Sequence, residues 1–273
     1  MADAYDRGAR AYEALWSPVI LPPAAALVRS LGLQGRYVVA DVGAGTGALL
    51  GAIRAAAPAA RVVTLDASAE MLRIAQTGRR AHAVVADALA LPLTDRAADA
   101  VILAYVLFHL ADPPLAVAEA ARVLRSGGRL GAITWAWERE SRADTLWDQI
   151  LIEADVPPTP PRRVDAWLDR PDAMAALLRS AGLRPECIWP ERLHHQWDRS
   201  SYWELATGWG ANRARLSRVD AATRACVLAR VQSGLSRLAP QDFFWEGEII
   251  CAVAMACSLR RLCHECCPGT RAQ

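Results

Sequence analysis

One stretch constrains this chain more than any other: Val38-Val39-Ala40-Asp41-Val42-Gly43-Ala44-Gly45-Thr46-Gly47. An apolar run carrying one acid ends in glycines at every second position. Glycines after a first strand let the backbone turn and approach a ligand closely, because no Cβ stands in the way. Read from Gly43, the segment also fits the dinucleotide pattern G-x-G-x-x-A, with Ala48 as the third small residue. Asp41 separates the two readings. A carboxylate two residues before the glycines suits a cationic ammonium or sulfonium and lies poorly beside a pyrophosphate.

Apolar runs and helical patterns alternate from there. Runs at Tyr37–Asp41, Arg61–Asp66, His82–Asp87, Asp99–Tyr105 and Arg129–Trp137 are interleaved with helical segments at Gly47–Ala57, Ser68–Thr77 and Asp112–Leu124, the last stopping at Gly127-Gly128. Continuous apolar strands between helices predict an α/β fold with a parallel sheet covered on both faces. Right-handed crossovers make it doubly wound, with ligands at the carboxyl ends of the strands. Two later extended segments, about 184–197 and 243–256, raise the expected strand number to seven. Helices are expected at Ser141–Ala154, Pro171–Ala181 and, two or three of them, over Ser200–Leu238. The chain reads as a single domain with a core at about 36–137 and helical lid elements at about 1–30, 138–170 and 198–241.

Three strand ends carry acids. Asp66 closes the second strand and can accept hydrogen bonds from two ribose hydroxyls. Asp87 closes the third and can accept from an exocyclic adenine amine; a helix N-cap is its plain alternative. With these residues, the chain resembles the class I S-adenosylmethionine-dependent methyltransferases, most closely the small-molecule branch that includes the ubiquinone and menaquinone methyltransferases. The matching stretches are Asp41–Gly47, Asp66-Ala67-Ser68-Ala69-Glu70-Met71-Leu72, Asp87-Ala88-Leu89-Ala90-Leu91-Pro92 and Arg122–Leu130.

The resemblance implies a Rossmann-like methyltransferase fold and S-adenosylmethionine as cofactor, with S-adenosylhomocysteine as product. It implies that Gly43, Ala44, Gly45, Thr46 and Gly47 pass under the methionine part, and that Asp66 and Ala67 hold the ribose. Met71 would pack on the adenine, or be a core methionine, and Asp87, Ala88 and Leu89 would read the adenine edge. Ala104, Tyr105 and His109 would line the site from the fourth strand end.

The fourth strand end also excludes chemistry. Amino-methylating enzymes of DNA adenine or protein glutamine carry an Asn/Asp-Pro-Pro-aromatic motif there, whereas this chain reads Leu103-Ala104-Tyr105-Val106. No acidic metal ligand stands near that strand end, so no catalytic metal is expected. His109 has the titration range of a general base, a packing or capping histidine being the alternative. Tyr105 is a similar candidate. In the N-terminal segment Tyr5-Asp6-Arg7-Gly8-Ala9-Arg10-Ala11-Tyr12, Tyr12 is the preferred residue to close over the site.

The acceptor is expected among aromatic side chains. The chain has 10 Trp and only 3 Phe. Trp16, Trp135, Trp137 and Trp203, with Tyr12 and His195, are the expected acceptor-binding residues, while His194 is equally placed by alternation. Aromatic walls favour a flat or apolar acceptor or a cationic amine, and oxygen is the first choice of accepting atom.

Composition narrows the rest. A net charge of +2 argues against a nucleic-acid binder. All 31 basic residues are arginine, which excludes Schiff-base or Walker-type lysine chemistry and the Tyr-x-x-x-Lys of a nicotinamide oxidoreductase. Met1–Arg10 has no apolar signal region, and no run of about 18 uncharged apolar residues occurs, so no membrane partner is expected. The 7 cysteines, 5 of them between Cys251 and Cys267, do not form a secreted disulfide pattern and suit a cytoplasmic setting. The pair in Cys263-His264-Glu265-Cys266-Cys267 lacks the second pair a zinc site needs. A small-molecule acceptor is the expected partner; monomer and homodimer are both open. Two other functions fit the same residues: cyclisation or rearrangement in a cofactor-shaped pocket without transfer, and a non-enzymatic cofactor-binding subunit.

Overall fold

The computed structural model describes residues 2–36, 38–158 and 168–257. The cysteine tail at 263–267 and part of the proline-rich segment at 157–161 lie outside them. Seven strands form one sheet: β1 (Val38–Val42), β2 (Arg61–Asp66), β3 (His82–Val85), β4 (Ala98–Ala104), β5 (Leu124–Arg139), β6 (Leu183–Gln196) and β7 (Phe244–Ala256). Their order is β3-β2-β1-β4-β5-β7-β6. β7 runs antiparallel to β5 and β6, and the other ladders are parallel. The expected doubly wound α/β sheet is therefore what forms.

The burial pattern explains why. The first six residues of β4 are buried, as a central strand covered on both faces requires. Alternate residues feed two cores. Val39, Ile102, Ile133 and Ile249 face one layer with Leu27, Ile53, Trp147 and Val231. Ala40, Val101, Leu130 and Ile250 face the other with Val117, Met174 and Leu178. Helices α2 (Ser17–Ser30), α3 (Leu50–Ala56), α6 (Arg142–Glu153) and α10 (Ala221–Leu235) contribute to the first layer. Helices α5 (Pro113–Val123) and α7 (Pro171–Ser180) cover the second. Edge strand β6 carries Pro185 and Pro190, which an edge tolerates.

Several boundaries differ from expectation: β3 ends at Val85, two residues before Asp87, β5 begins five residues before Arg129, and two further differences have a visible cause. α5 ends at Val123, not at the glycine pair, because Leu124 already pairs with Ala98; Gly127, at φ 74°, lies within the register shift that follows. α3 begins only at Leu50, because Gly43, Gly45 and Gly47 all have positive φ and hold the chain in turns.

The lid elements converge on the carboxyl edge. α1 (Ala2–Ala11) passes through a wide π turn, Tyr12–Trp16, directly into α2. α8 (Arg199–Gly208) and α9 (Gly210–Leu216), with α10, fill the β6–β7 connection, and α4 (Ala69–Arg79) follows β2. β6 runs parallel to β1–β5, so this connection leaves at the same edge. α1 packs against α8 and α9, and a Cβ on Gly8 would meet Trp209 Cδ1 at 2.6 Å.

Tyr5–Ser30 forms 26 residues of helix apolar enough by length and composition to cross a bilayer. The sequence criterion of uncharged residues missed it because Glu13 and Arg29 interrupt the run. In this fold its apolar face is seated on the sheet: Ile20, Ala24, Leu27 and Val28 are buried. Leu27 and Leu31 rest on Gly131 of β5, where a Cβ would stand 3.1–3.2 Å from their methyl carbons. Leu27→Ala should cost about 2–5 kcal/mol. Denaturant unfolding should show a lower midpoint at unchanged m-value.

Candidate active site

The carboxyl end of β1 turns under the edge of β2. The amides of Gly43 and Ala44 both donate to the Leu65 carbonyl, at 2.7 and 3.0 Å. Gly43 has φ 69°, and a Cβ there would stand 2.2 Å from Val106 Cγ2, so only glycine fits. Asp66 follows Leu65. Its Oδ2 accepts from Gly45 N–H at 2.8 Å and its Oδ1 from Ser68 N–H at 2.8 Å. A carboxylate has about four acceptor positions, so two are left for hydroxyls of a ligand. Burial raises the Asp66 carboxyl above its ordinary value, and the backbone amides partly offset this.

A cavity of about 180 Å³ opens above this turn. Gly43, Gly45, Asp66 and Ala67 line one end, Met71, Asp87 and Ala88 another, and Ala104, Tyr105 and His109 the side. These predicted cofactor residues are thus brought together by the fold. The exposed Asp87 is no helix cap: its Oδ1 accepts from Leu89 N–H at 2.9 Å within a tight turn. Five expected contacts lie elsewhere, Asp41 among them. Ala44 lines a smaller neighbouring cavity. The buried Thr46 donates its hydroxyl to Glu13. Gly47 backs onto Ala75. Leu89 packs into the core under α5.

The roof is held by acids that the sequence did not single out. Glu13, in the π turn, accepts from Thr46 and from Arg79, and Arg79 also donates to the Thr46 carbonyl at 3.0 Å. Asp6 accepts from Ser68 Oγ and from Glu70 N–H. The N-terminal helix is thereby pinned to the glycine loop and to the start of α4.

A second cavity, about 330 Å³, lies beside the first. Tyr5, Tyr12, Tyr105 and His109 line both. Tyr105 stands at φ 60°, a conformation rare for a bulky side chain, which places its ring between the two spaces. Its hydroxyl donates to the Ile20 carbonyl at 3.2 Å. Tyr5 hydroxyl and His109 Nε2 are hydrogen-bonded at 2.7 Å. Burial pushes the phenols of Tyr12 and Tyr105 far above their ordinary range. They stay protonated.

Trp16 and Trp135 line the second cavity as expected, joined by Trp197, Trp209 and Trp245. Trp137, His195 and Trp203 do not line it. A register shift between Trp135 and Trp137 breaks the strand alternation. His195 packs on Trp197 at 4.1 Å between centroids, its imidazole held below its usual value by burial. Trp203 stacks on Trp147 at 6.0 Å. Among the described residues no group of three or more His, Cys, Asp or Glu is placed to hold a metal.

Asp41 is buried beneath this assembly, and among the described residues its Oδ2 has no hydrogen-bond partner. It faces a cavity of about 40 Å³ that shares Gly43, Ala104 and Tyr105 with the first. Burial, then the charge of Asp66, pushes its carboxyl up to about 7. A raised folded-state value means the native state holds the proton longer, so stability falls as pH rises from about 4 to about 7. The full penalty is on the order of 4 kcal/mol. Asp41→Asn should remove this fall, which unfolding curves at pH 5 and pH 8 will read; an unchanged pH dependence would refute the assignment.

Residues 40–132 match the family described as methyltransferase domain. An uncharacterized methyltransferase of Mycobacterium tuberculosis is 37% identical over 131 residues, covering 48% of this chain and 48% of that protein. The demethylmenaquinone methyltransferase of Thermus thermophilus is 41% identical over 97 residues, 34% of this chain and 44% of that one. The chain therefore spans about half the length of these curated relatives. Among solved structures, the cyclase SpnF superposes with a TM-score of 0.53 at 22% identity, covering 86% of this chain and 81% of that one, a likeness of fold. The sheet order, the glycine turn with its acids, and the comparisons agree: residues 40–132 match a methyltransferase domain, and the chain shares its fold with solved structures of that kind.

Proposed function

We propose that this protein transfers the methyl group of S-adenosylmethionine to a small aromatic or apolar metabolite, with oxygen as accepting atom. The carrying observation is the shared wall: Tyr5, Tyr12, Tyr105 and His109 line both the glycine-loop cavity and the aromatic cavity. A donor in the first space and an acceptor in the second would meet there.

The residues of the first cavity fit the cofactor. Asp66 retains acceptor positions for ribose hydroxyls, Met71 offers an apolar surface for the adenine, and Asp87 with Ala88 forms its polar edge. Gly43 and Gly45 bring bare backbone to the methionine part, above the buried carboxyl of Asp41. When bound, the cofactor supplies an activated methyl on a sulfonium leaving group. The chain then has to align the acceptor and keep water out. The acceptor hydroxyl's proton passes to the Tyr5 oxygen as the Tyr5 hydroxyl gives its own proton to His109 Nε2, so His109 acts as base through Tyr5.

Calorimetric titration with S-adenosylmethionine, S-adenosylhomocysteine and NADPH tests the site. The first two should bind, and Asp66→Ala should weaken them about 10- to 100-fold, the worth of charged hydrogen bonds. Asp66→Asn, which preserves the shape of the turn, should fall between. Binding of NADPH alone would overturn the reading. Labelled methyl in the product separates transfer from cyclisation in a cofactor-shaped pocket, and turnover by the isolated chain separates an enzyme from a binding subunit.

His109→Gln should lower kcat by roughly 100-fold, within the range of general-base catalysis, with S-adenosylhomocysteine affinity nearly unchanged. Tyr5→Phe, which breaks the relay, should lower it as much. Equal kcat in His109→Gln and wild type would remove the base from the mechanism.

A further inference from the structure

We propose that cofactor binding expels a proton from Asp41, whose carboxyl is neutral in the free protein and ionises against the cofactor's ammonium. The inference rests on the function proposed above and concerns how that site takes its cofactor. A buried oxygen and the cavity it faces carry it.

Asp41 is 1% exposed, and among the described residues its Oδ2 is without a hydrogen-bond partner. The cavity of about 40 Å³ before it is lined by no basic side chain. A carboxylate in such a place is costly without a cation or several donors. Among the described residues the neighbouring elements bring no cation to it. β2 faces Asp41 with Asp66, the β4 end with Tyr105 and the π turn with Tyr12. α2 brings the buried Ser17 and apolar side chains, and the turn before α3 brings Leu49. The guanidinium of Arg79 is engaged by Glu13, and Arg54 of α3 donates to the Arg79 and Arg80 carbonyls at the surface. Burial, then the charge of Asp66, pushes the Asp41 carboxyl up to about 7.

The cofactor brings the cation. Tyr12, Gly43, Ala104 and Tyr105 line both this small cavity and the glycine-loop cavity, so the two spaces meet at the glycine turn. A cavity of about 40 Å³ holds water and not a cofactor. The ammonium therefore acts on Asp41 across the turn, through a field that a buried site screens weakly. The carboxyl O–H bond breaks, and its proton leaves to the buffer. On the acid side of neutrality binding has to remove that proton; on the alkaline side the carboxylate is already formed. Affinity for the cofactor thus rises with pH through neutrality, opposite in sign to the stability of the free protein, which falls over the same range.

Calorimetric titration of the full chain with S-adenosylhomocysteine, in buffers of different ionisation enthalpy, counts the proton. This ligand carries the ammonium and no sulfonium. Wild type should release close to one proton per ligand at about pH 6 and almost none at about pH 8.5, and its affinity should rise about tenfold per pH unit below about pH 6.5. Asp41→Asn should release none and bind with a flat pH profile, whereas His109→Gln should keep the release. Infrared difference spectra of wild type should show a protonated-carboxyl band that disappears when the ligand binds. No release by wild type beside saturable binding, release by Asp41→Asn, or loss of the release in His109→Gln overturns the assignment. Should Asp41→Asn not fold or bind, the infrared band decides: its disappearance supports the proposal and its persistence overturns it. Failure of S-adenosylhomocysteine to bind wild type at any pH overturns the proposed function instead.

Discussion

The structure turns on one carbonyl. Leu65 O receives the amides of both Gly43 and Ala44, which locks the end of β1 to the end of β2 and fixes the glycine turn. The next residue, Asp66, then has its carboxylate oriented by Gly45 and Ser68. Ser68 in turn caps α4 through Met71 N–H at 3.1 Å, which sets Met71 over the cavity. A slip of one residue between β1 and β2 would break this whole chain of contacts, and the burial of alternate residues in two separate cores opposes such a slip.

Around that fixed turn the roof is assembled from distant parts of the chain. Its attachment is electrostatic where it meets the glycine loop, through Glu13 and Asp6, and aromatic where it meets the second cavity, through Trp16 and Trp209. The π turn at Tyr12–Trp16 serves both. Its wider backbone turns Tyr12 and Trp16 to the cavities while Glu13 holds Thr46 and Arg79. The aromatic cavity consequently exists where α1, α6, α8, α9 and the ends of β5 and β7 come together.

The same enclosure sorts the titratable groups. The phenols of Tyr12 and Tyr105 lie where water is excluded and keep their protons, while burial holds the Asp41 carboxyl protonated up to about pH 7. His109 lies at the boundary between the cavities, bonded to Tyr5.

The sequence by itself determined the sheet, the glycine turn and its acids. Asp41, Gly43, Asp66 and Asp87 were legible because they lie within a few residues of strand ends, at spacings that local backbone geometry dictates. Even β2 and the cap at Ser68 could be read to the residue. The tertiary structure alone decided the acceptor side. Nothing in the sequence distinguishes Trp209 and Trp245, which line the cavity, from Trp203 and Trp137, which do not; a helix rotation or a bulge in β5 chooses between them. Tyr5 was passed over for Tyr12, although helical spacing puts both on neighbouring turns, because its bond to His109 spans 104 residues. Glu13 and Asp6 read as ordinary surface acids until their partners arrive from other elements. Local spacing records contacts made by neighbouring residues, and contacts across the sheet edge are recorded only in the packed fold.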